Sequence, residues 1–308
     1  MRRHQNLINK VEITEVCPRD GFQNVKDFID TGKKIEIAKT LIDAGFKEME
    51  VVSFVSPKWI PQMADAAEVV YELDKYRKEN NIDVKFIGLA PNAKGVANAM
   101  KTNVDEIVCP ISVTEKHNIS NVNRTIDESF NDIEKIFREY EGIDVTIGLA
   151  CTFISPFPND PISVDNIKRM SERAYKLGAK KVVLADTVGT ASPCVVENIL
   201  SSLKGEYDFD KVSLHLHDTA GFALINALIG IRHGFYKFES ASGGLGGCPF
   251  APGAAGNVAT EDILNLFNSI DIDTGINFDK VFEAVDKIKE NVNANIVSHM
   301  YSFHRNRK

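Results

Sequence analysis

The sequence has no long hydrophobic run, no closely spaced cysteine pair and no excess of positive charge. No segment reaches the roughly 18 consecutive apolar residues that a membrane-spanning helix needs, and residues 1–14 lack the apolar core of a secretion signal. The five cysteines form no Cys-x-x-Cys pair, which favours reduced thiols over a disulfide framework. A net charge of −7 argues against a general nucleic-acid surface. These absences predict a cytoplasmic protein that binds neither membrane nor nucleic acid.

Nothing in the sequence resembles a linker, and short β-branched runs alternate with amphipathic stretches of helical length. This alternation indicates parallel strands joined by right-handed crossovers. Eight strands without a break in composition favour an α/β fold that is a single (β/α)8 TIM barrel, with a doubly wound open sheet as the alternative. The predicted strands are 11–16, 48–53, 84–90, 106–112, 145–151, 181–185, 211–217 and 238–241, and the predicted helices lie at about 31–44, 61–79, 94–101, 126–140, 163–177, 193–203 and 220–233.

The C-terminal region has apolar residues at helical spacing but no further strand pattern. We therefore expect extra C-terminal helices at about 270–308 that pack one face on the barrel, within one catalytic domain spanning 1–308. The apolar positions that set this spacing are Phe278, Val281, Phe282, Val285 and Ile288.

A glycine-dense segment places one thiol, Cys248, close to one amide, Asn257. Its glycines permit positive φ and close approach to a ligand, while Pro249 and Pro252 prevent a helix or a central strand. The segment has neither the third glycine of a dinucleotide-binding motif nor the Lys-Ser/Thr of a P-loop. It is therefore interpreted as a loop that serves a site, the alternative being a surface loop with an inert cysteine.

Polar residues at the ends of predicted strands suit a divalent metal. His215 and His217 lie two apart at the end of strand seven, so both imidazoles point to the same side. Asp20, just after strand one, supplies a carboxylate, and the neighbouring Arg19 supplies a permanent cation. Two imidazoles and one carboxylate leave coordination positions open, which is typical of a catalytic site.

Each of these residues also has a structural interpretation. A His-x-His pair can be a core feature, Asp20 can be a turn former, and Glu50 can be an ion-pair partner within its apolar strand. Glu50 and Asp186, as buried carboxylates, need partners, which Arg19 or a metal could provide. Because these groups meet at several strand ends, their combination favours carbon–carbon cleavage beside a thioester, with a thiol that protonates the carbanion. The other four cysteines are predicted to be small buried hydrophobes, namely Cys17, Cys109, Cys151 and Cys194.

Four segments together resemble the 3-hydroxy-3-methylglutaryl-coenzyme A lyase family over nearly the whole chain. They are Glu15–Asn24 (EVCPRDGFQN), Glu50–Met63 (EVVSFVSPKWIPQM), His215-Leu-His217 and Gly243–Asp262. The resemblance implies a (β/α)8 barrel that binds Mg²⁺ or Mn²⁺ and splits hydroxymethylglutaryl-CoA into acetyl-CoA and acetoacetate. It also implies a homodimer.

Residue roles follow from the same resemblance. The implied metal ligands are Asp20, His215, His217 and Asn257. Arg19 would stabilise the enolate of the thioester product and Cys248 would protonate it, while Glu50 and Asp186 would organise the cation and the metal site. His215 is also the candidate to assist removal of the hydroxyl proton, and Gln23 and Lys26 are candidate substrate contacts.

Two segments depart from the family pattern, namely 111–124 and 151–160. Because loops at this face shape an acyl pocket, a related lyase acting on citramalyl-CoA or on a longer-branched hydroxyglutaryl-CoA stays open. A condensing acyl-CoA synthase is a second alternative, although such enzymes usually carry Asp-Arg-Glu where this chain has Pro18-Arg19-Asp20. A non-catalytic CoA-ester sensor is a third.

Overall fold

A computed structural model describes residues 8–247 and 256–306. Eight parallel strands pair in chain order, and β8 pairs with β1 to close the ring. The closed barrel confirms the predicted (β/α)8 fold and excludes the open sheet. The strands are β1 Glu12–Glu15, β2 Glu48–Ser53, β3 Lys85–Leu89, β4 Glu106–Ser112, β5 Asp144–Ala150, β6 Lys181–Asp186, β7 Val212–Leu216 and β8 Lys237–Ser240.

The helices surround this ring and continue beyond the last strand. The described residues form α1 Thr31–Asp43, α2 Ala66–Glu79, α3 Ala93–Ala99, α4 Glu115–Val122, α5 Ile126–Glu139, α6 Val164–Leu177, α7 Pro193–Ser202, α8 Ala223–Arg232, α9 Thr260–Ser269, α10 Phe278–Asn291 and α11 His299–Arg305. Neither α4 nor α9 was predicted from the sequence. The second helix begins later than predicted, because Pro61–Met63 forms a separate 3₁₀ turn before α2. No helix within these residues is long and apolar enough to cross a membrane.

Local capping explains several helix boundaries. Asp30 begins α1, because its side chain accepts the Lys33 backbone N–H at 3.2 Å. Thr31 lies inside the helix, where its hydroxyl donates to Asp65 at 2.8 Å. Ser163 caps α6, and Gly178 ends that helix with φ 107°.

Strand alternation separates an apolar outer surface from a polar barrel interior. In β7, Leu214 and Leu216 belong to the hydrophobic core that packs against the helices, whereas His215 faces inward. Near the N-terminal ends of the strands, Lys181 contacts Glu48 at 2.7 Å and Glu106 at 3.8 Å. Because this end of a TIM barrel is usually structural, we assign these charges to barrel stability.

The C-terminal helices lie on the barrel's outer surface. The α10 helix packs against α1 and buries an apolar stripe of Val281, Phe282, Ala284, Val285 and Ile288. The α11 helix is joined to α9, because the Asp262 carboxylate accepts backbone N–H groups of His299 at 3.0 Å and Met300 at 2.7 Å.

Three cysteines are buried and a fourth is not. Cys17, Cys109 and Cys151 lie in the interior as predicted, but Cys194 is exposed, so its predicted burial is wrong. Cys194 is the second residue of α7, a helix whose buried positions are Val196, Ile199 and Leu200. Helical periodicity therefore turns the Cys194 side chain away from the barrel.

Candidate metal and substrate site

A short π-helical turn, Cys17–Gly21, follows β1 directly. The Asp20 backbone N–H donates to the Val16 carbonyl at 2.7 Å, and the Phe22 N–H donates to the Cys17 carbonyl at 3.0 Å. The turn buries Arg19 and Asp20 at the C-terminal end of the barrel. Such turns are rare and occur frequently at functional sites.

Asp20 meets His215 and His217 in a buried cluster. One ligand atom from each residue lies within 4.8 Å of the others. The two Nε2 atoms of the histidines are 3.0 Å apart, and His217 Nε2 is 3.8 Å from an Asp20 oxygen. The same-side placement of the two imidazoles, inferred from their spacing, is what brings their rings together.

Asn257 reaches this cluster because residues 256–258 pair with the end of β7. The Val258 N–H donates to the Leu216 carbonyl at 2.9 Å, and the Asp218 N–H donates to the Gly256 carbonyl at 3.0 Å. The Asn257 side-chain amide then donates to Asp20 Oδ2 at 2.6 Å. Its Oδ1 is buried without a hydrogen-bond partner among the described residues.

Two glycines make this close packing possible. A Cβ on Gly246, where φ is +122°, would lie 2.5 Å from the Asn257 side-chain nitrogen. A Cβ on Gly256 would lie 2.5 Å from the Gly244 carbonyl oxygen. Larger residues at either position would displace the Asn257 segment, so the glycines serve close approach of the backbone.

The donor set fits a divalent cation. Burial opposes ionisation of Asp20, but the charges of Arg19 and the histidines outweigh it and lower its pKa to about 2. Burial, with the charge of His215, lowers the pKa of His217 to about 4. An ionised carboxylate, a neutral imidazole and the unpartnered Asn257 carbonyl are ligand states that a cation requires.

Arg19 is held by two carboxylates. Its Nη1 donates to Asp20 at 2.5 Å and its Nη2 donates to Glu50. Burial raises the pKa of Glu50 to about 7, even though the guanidinium lies beside it. Arg19 Nε and Glu50 Oε1 are both buried without hydrogen-bond partners in the described chain. The site therefore contains polar atoms that a bound ligand could satisfy.

The hydrogen-bond partners of Asp186 differ from those expected, which were Arg19 or a metal. Its oxygens accept the backbone N–H groups of Gly189 at 2.9 Å and Ala191 at 3.1 Å, and burial raises its pKa to about 6. A Cβ on Gly189 would lie 2.7 Å from the His217 Cβ. Asp186 thus shapes the loop that packs against His217.

One of the remaining predicted residues, Gln23, contacts this cluster. Gln23 donates to Asp20 at 2.6 Å, and Lys26 is exposed on the loop between β1 and α1. Cys248 lies outside the described residues. Its neighbour Gly247 accepts a hydrogen bond from the Asn24 amide at 3.2 Å, so the start of the cysteine segment lies beside the β1–α1 loop.

Two buried carboxylates at the site were missed by sequence reasoning. Glu239 in β8 hydrogen-bonds His215 Nδ1 at 2.8 Å. Burial lowers the pKa of His215, but this hydrogen bond and the nearby carboxylates more than compensate and raise it overall. Glu15 accepts hydrogen bonds from Cys17 N at 2.8 Å, Ser242 Oγ at 2.6 Å and Thr260 Oγ1 at 2.9 Å. The available signal for each was its position as a charged residue within a predicted strand, 238–241 for Glu239 and 11–16 for Glu15.

A cavity of about 800 Å³ lies between the β5–α6 loop and α7. Its walls include Phe153, Phe157, Ile162, Val195 and Ile199. Much of its lining comes from the segment 151–160, whose sequence departs from the family pattern.

The chain is similar in sequence to one protein family over most of its length. The family model described as HMGL-like matches residues 10–288. A hydroxymethylglutaryl-CoA lyase of Bacillus subtilis is 35% identical over 283 residues, which cover 91% of this chain and 93% of that protein.

Solved structures show the same relationship. The crystal structure of the Bacillus subtilis HMG-CoA lyase superposes with a TM-score of 0.92 at 33% identity, covering 98% of this chain and 100% of that one. An HMG-CoA lyase from Acinetobacter baumannii, in complex with coenzyme A and 3-methylmalate, gives a TM-score of 0.87 at 34% identity and covers 96% of this chain and 95% of its own.

Proposed function

The chain belongs to the HMGL-like family and is a carbon–carbon lyase, and from that premise we propose that it cleaves hydroxymethylglutaryl-CoA to acetyl-CoA and acetoacetate with a divalent cation. The observation that carries the proposal is the convergence of Asp20, His215, His217 and Asn257 beside a buried arginine. These residues would hold Mg²⁺ or Mn²⁺. The cation would polarise the hydroxyl and carbonyl oxygens of the substrate.

The cleavage breaks the bond between the hydroxyl-bearing carbon and the carbon next to the thioester. A base removes the hydroxyl proton, the hydroxyl-bearing carbon becomes the ketone of acetoacetate, and the electron pair of the broken bond forms the enolate of acetyl-CoA. His215 is proposed to assist this proton removal as a ligand of the cation, because its Nε2 faces the cluster and its Nδ1 contacts Glu239, so neither nitrogen is left to accept the proton itself. The thiol of Cys248 then donates a proton to the enolate carbon, which completes acetyl-CoA.

Arg19 is the proposed electrostatic stabiliser of the enolate. Its guanidinium is buried and fixed by Asp20 and Glu50, so it needs no reorganisation as negative charge develops. Its Nε–H is buried without a hydrogen-bond partner in the described chain, so one donor of the guanidinium is left unused. Glu50 and Asp186 act as orienting residues, the first through Arg19 and the second through the loop behind His217.

The substrate is proposed to be an acyl-CoA ester. The relative solved with coenzyme A supports this class. A lyase acting on a related ester, such as citramalyl-CoA, is the second candidate, because the cavity beside α7 is lined by the divergent segment 151–160. Gln23, which contacts Asp20, and the exposed Lys26 are proposed to face the substrate.

Turnover of purified protein with Mg²⁺ or Mn²⁺ on a panel of acyl-CoA esters tests the proposal. Fast release of acetyl-CoA from hydroxymethylglutaryl-CoA is the expected result. Faster release from citramalyl-CoA would keep the chemistry and change the substrate, whereas consumption of acetyl-CoA would indicate a condensing synthase. Binding of the esters without turnover would identify a CoA-ester sensor.

A homodimer and a cytoplasmic location are part of the proposal as well. Light scattering on the purified protein would measure its mass, for which the dimer predicts twice the 34.1 kDa of one chain. Fractionation of the source cells would test the location.

A further inference from the structure

Glu239 is a buried carboxylate placed directly beside one of the candidate metal ligands. His215 and Glu239 are paired positions on the adjacent parallel strands β7 and β8. Their side chains point to the same side of the sheet, and Glu239 Oε2 lies 2.8 Å from His215 Nδ1. The contact is therefore set by strand register and requires no flexible loop.

This contact determines which nitrogen of His215 faces the cluster. The ionised carboxylate only accepts hydrogen bonds, so His215 Nδ1 must carry the proton. The Nε2 atom lies on the other side of the ring, 3.0 Å from His217 Nε2 and beside Asp20. With its proton fixed on Nδ1, a neutral His215 presents the Nε2 lone pair to that cluster.

The neighbouring lysine and arginine are paired with other carboxylates, so the close charged contact of Glu239 is with His215. Lys181 is paired with Glu48 at 2.7 Å, and Arg19 is paired with Asp20 and Glu50. The second oxygen of Glu239 accepts a weak hydrogen bond from Ser213 Oγ at 3.4 Å. The arrangement matches the carboxylate–histidine–metal triads in which a second carboxylate orients a ligand.

We propose that Glu239 is a positioning residue that holds His215 with Nδ1 protonated and Nε2 directed at the metal. The inference rests on the proposed metal site and adds a residue that is not itself a ligand. Loss of the carboxylate would let the proton move to Nε2, and His215 would then lose its donor atom for the cation.

The first test is Mn²⁺ binding followed by electron paramagnetic resonance. We expect Glu239→Leu, which removes the acceptor for His215 Nδ1–H, to weaken Mn²⁺ binding by about 10- to 100-fold, the range seen when such orienting groups are removed. Glu106→Leu is the matched control, because Glu106 is also buried in the barrel but contacts Thr146 at 2.7 Å and Lys181. Equal affinities for wild type and Glu239→Leu would overturn the proposal. A wild type that binds no Mn²⁺ would overturn the metal site and this inference together.

The second test needs no substitution and so does not depend on a variant that folds. Nitrogen-15 NMR of histidine-labelled protein loaded with Mg²⁺ reports which ring nitrogen of His215 carries the proton. We expect a proton on Nδ1 and none on Nε2. A proton on Nε2 would refute the assignment, whatever the stability of the variants.

Discussion

Replacement of Glu261 by glutamine is expected to stabilise the protein increasingly as the pH rises. Glu261 is fully buried at the start of α9, where one oxygen accepts the Gly243 backbone N–H at 2.9 Å. Its other oxygen has no hydrogen-bond partner among the described residues. Burial, together with the charges of Asp262 and Glu15, raises the pKa of Glu261 to about 8.

When the pH lies between the ordinary pKa of 4.5 and the raised pKa of about 8, Glu261 is protonated in the folded protein and ionised in the unfolded chain. In that window the folded protein keeps a proton on Glu261 that the unfolded chain has released, so stability falls as the pH rises. The loss approaches about 1.4 kcal/mol per pH unit and comes to about 2.5 kcal/mol between pH 5 and pH 7. Glutamine keeps the acceptor for Gly243 and removes this loss.

Urea unfolding at several pH values measures the difference between the two proteins. The free energies of unfolding should be similar near pH 5 and should diverge above it, with Glu261→Gln the more stable. Glu68→Gln, at an exposed position on α2, is the control and should run parallel to the wild type. If the Glu261→Gln curve also ran parallel to the wild type, the buried carboxylate would not be the cause of the pH dependence.

Three further predictions concern catalysis. Dialysis against a chelator should abolish turnover and added Mn²⁺ should restore it; full activity after dialysis would contradict the roles of Asp20 and the two histidines. Cys248→Ser should reduce turnover by several orders of magnitude and leave Mn²⁺ affinity nearly unchanged, because a hydroxyl is a poor proton donor at neutral pH. Arg19→Lys should lower turnover nearly as much as Arg19→Met, because an ammonium group cannot contact Asp20 and Glu50 at the same time as the guanidinium does. Near-normal turnover of the lysine variant would show that the positive charge alone is sufficient.

The barrel could be predicted because apolar residues recur at regular spacing in its strands and helices. Strands of β-branched residues and helices with one apolar face alternate along the chain, and the strand predictions agree with the structure to within a residue or two. The α4 helix was not predicted, because its sequence is polar and only His117 and Asn118 are buried. The π-helical turn at Cys17–Gly21 could not be inferred either, since no local composition specifies that hydrogen-bond pattern.

The site was predictable to the extent that strand ends and side-chain alternation determine it. His215 and His217 required only their spacing, and Asp20 required only its position after β1. The hydrogen-bond partners were harder to infer, because they depend on contacts between distant segments. Asp186 is satisfied by backbone N–H groups of its own loop, and Glu239 reaches His215 through the β7–β8 register, which the sequence alone does not determine.

The candidate ligands come from three separate parts of the chain, namely the turn after β1, the C-terminal end of β7 and the segment between β8 and α9. The first and last strands become neighbours only when the ring closes, through pairs such as Thr14 with Glu239. The complete donor set therefore exists only when the ring is closed and Asn257 contacts Asp20. A bound cation would therefore link the two ends of the barrel sequence, which meet where β1 pairs with β8. Release of Mn²⁺ during unfolding would report the separation of these parts of the barrel.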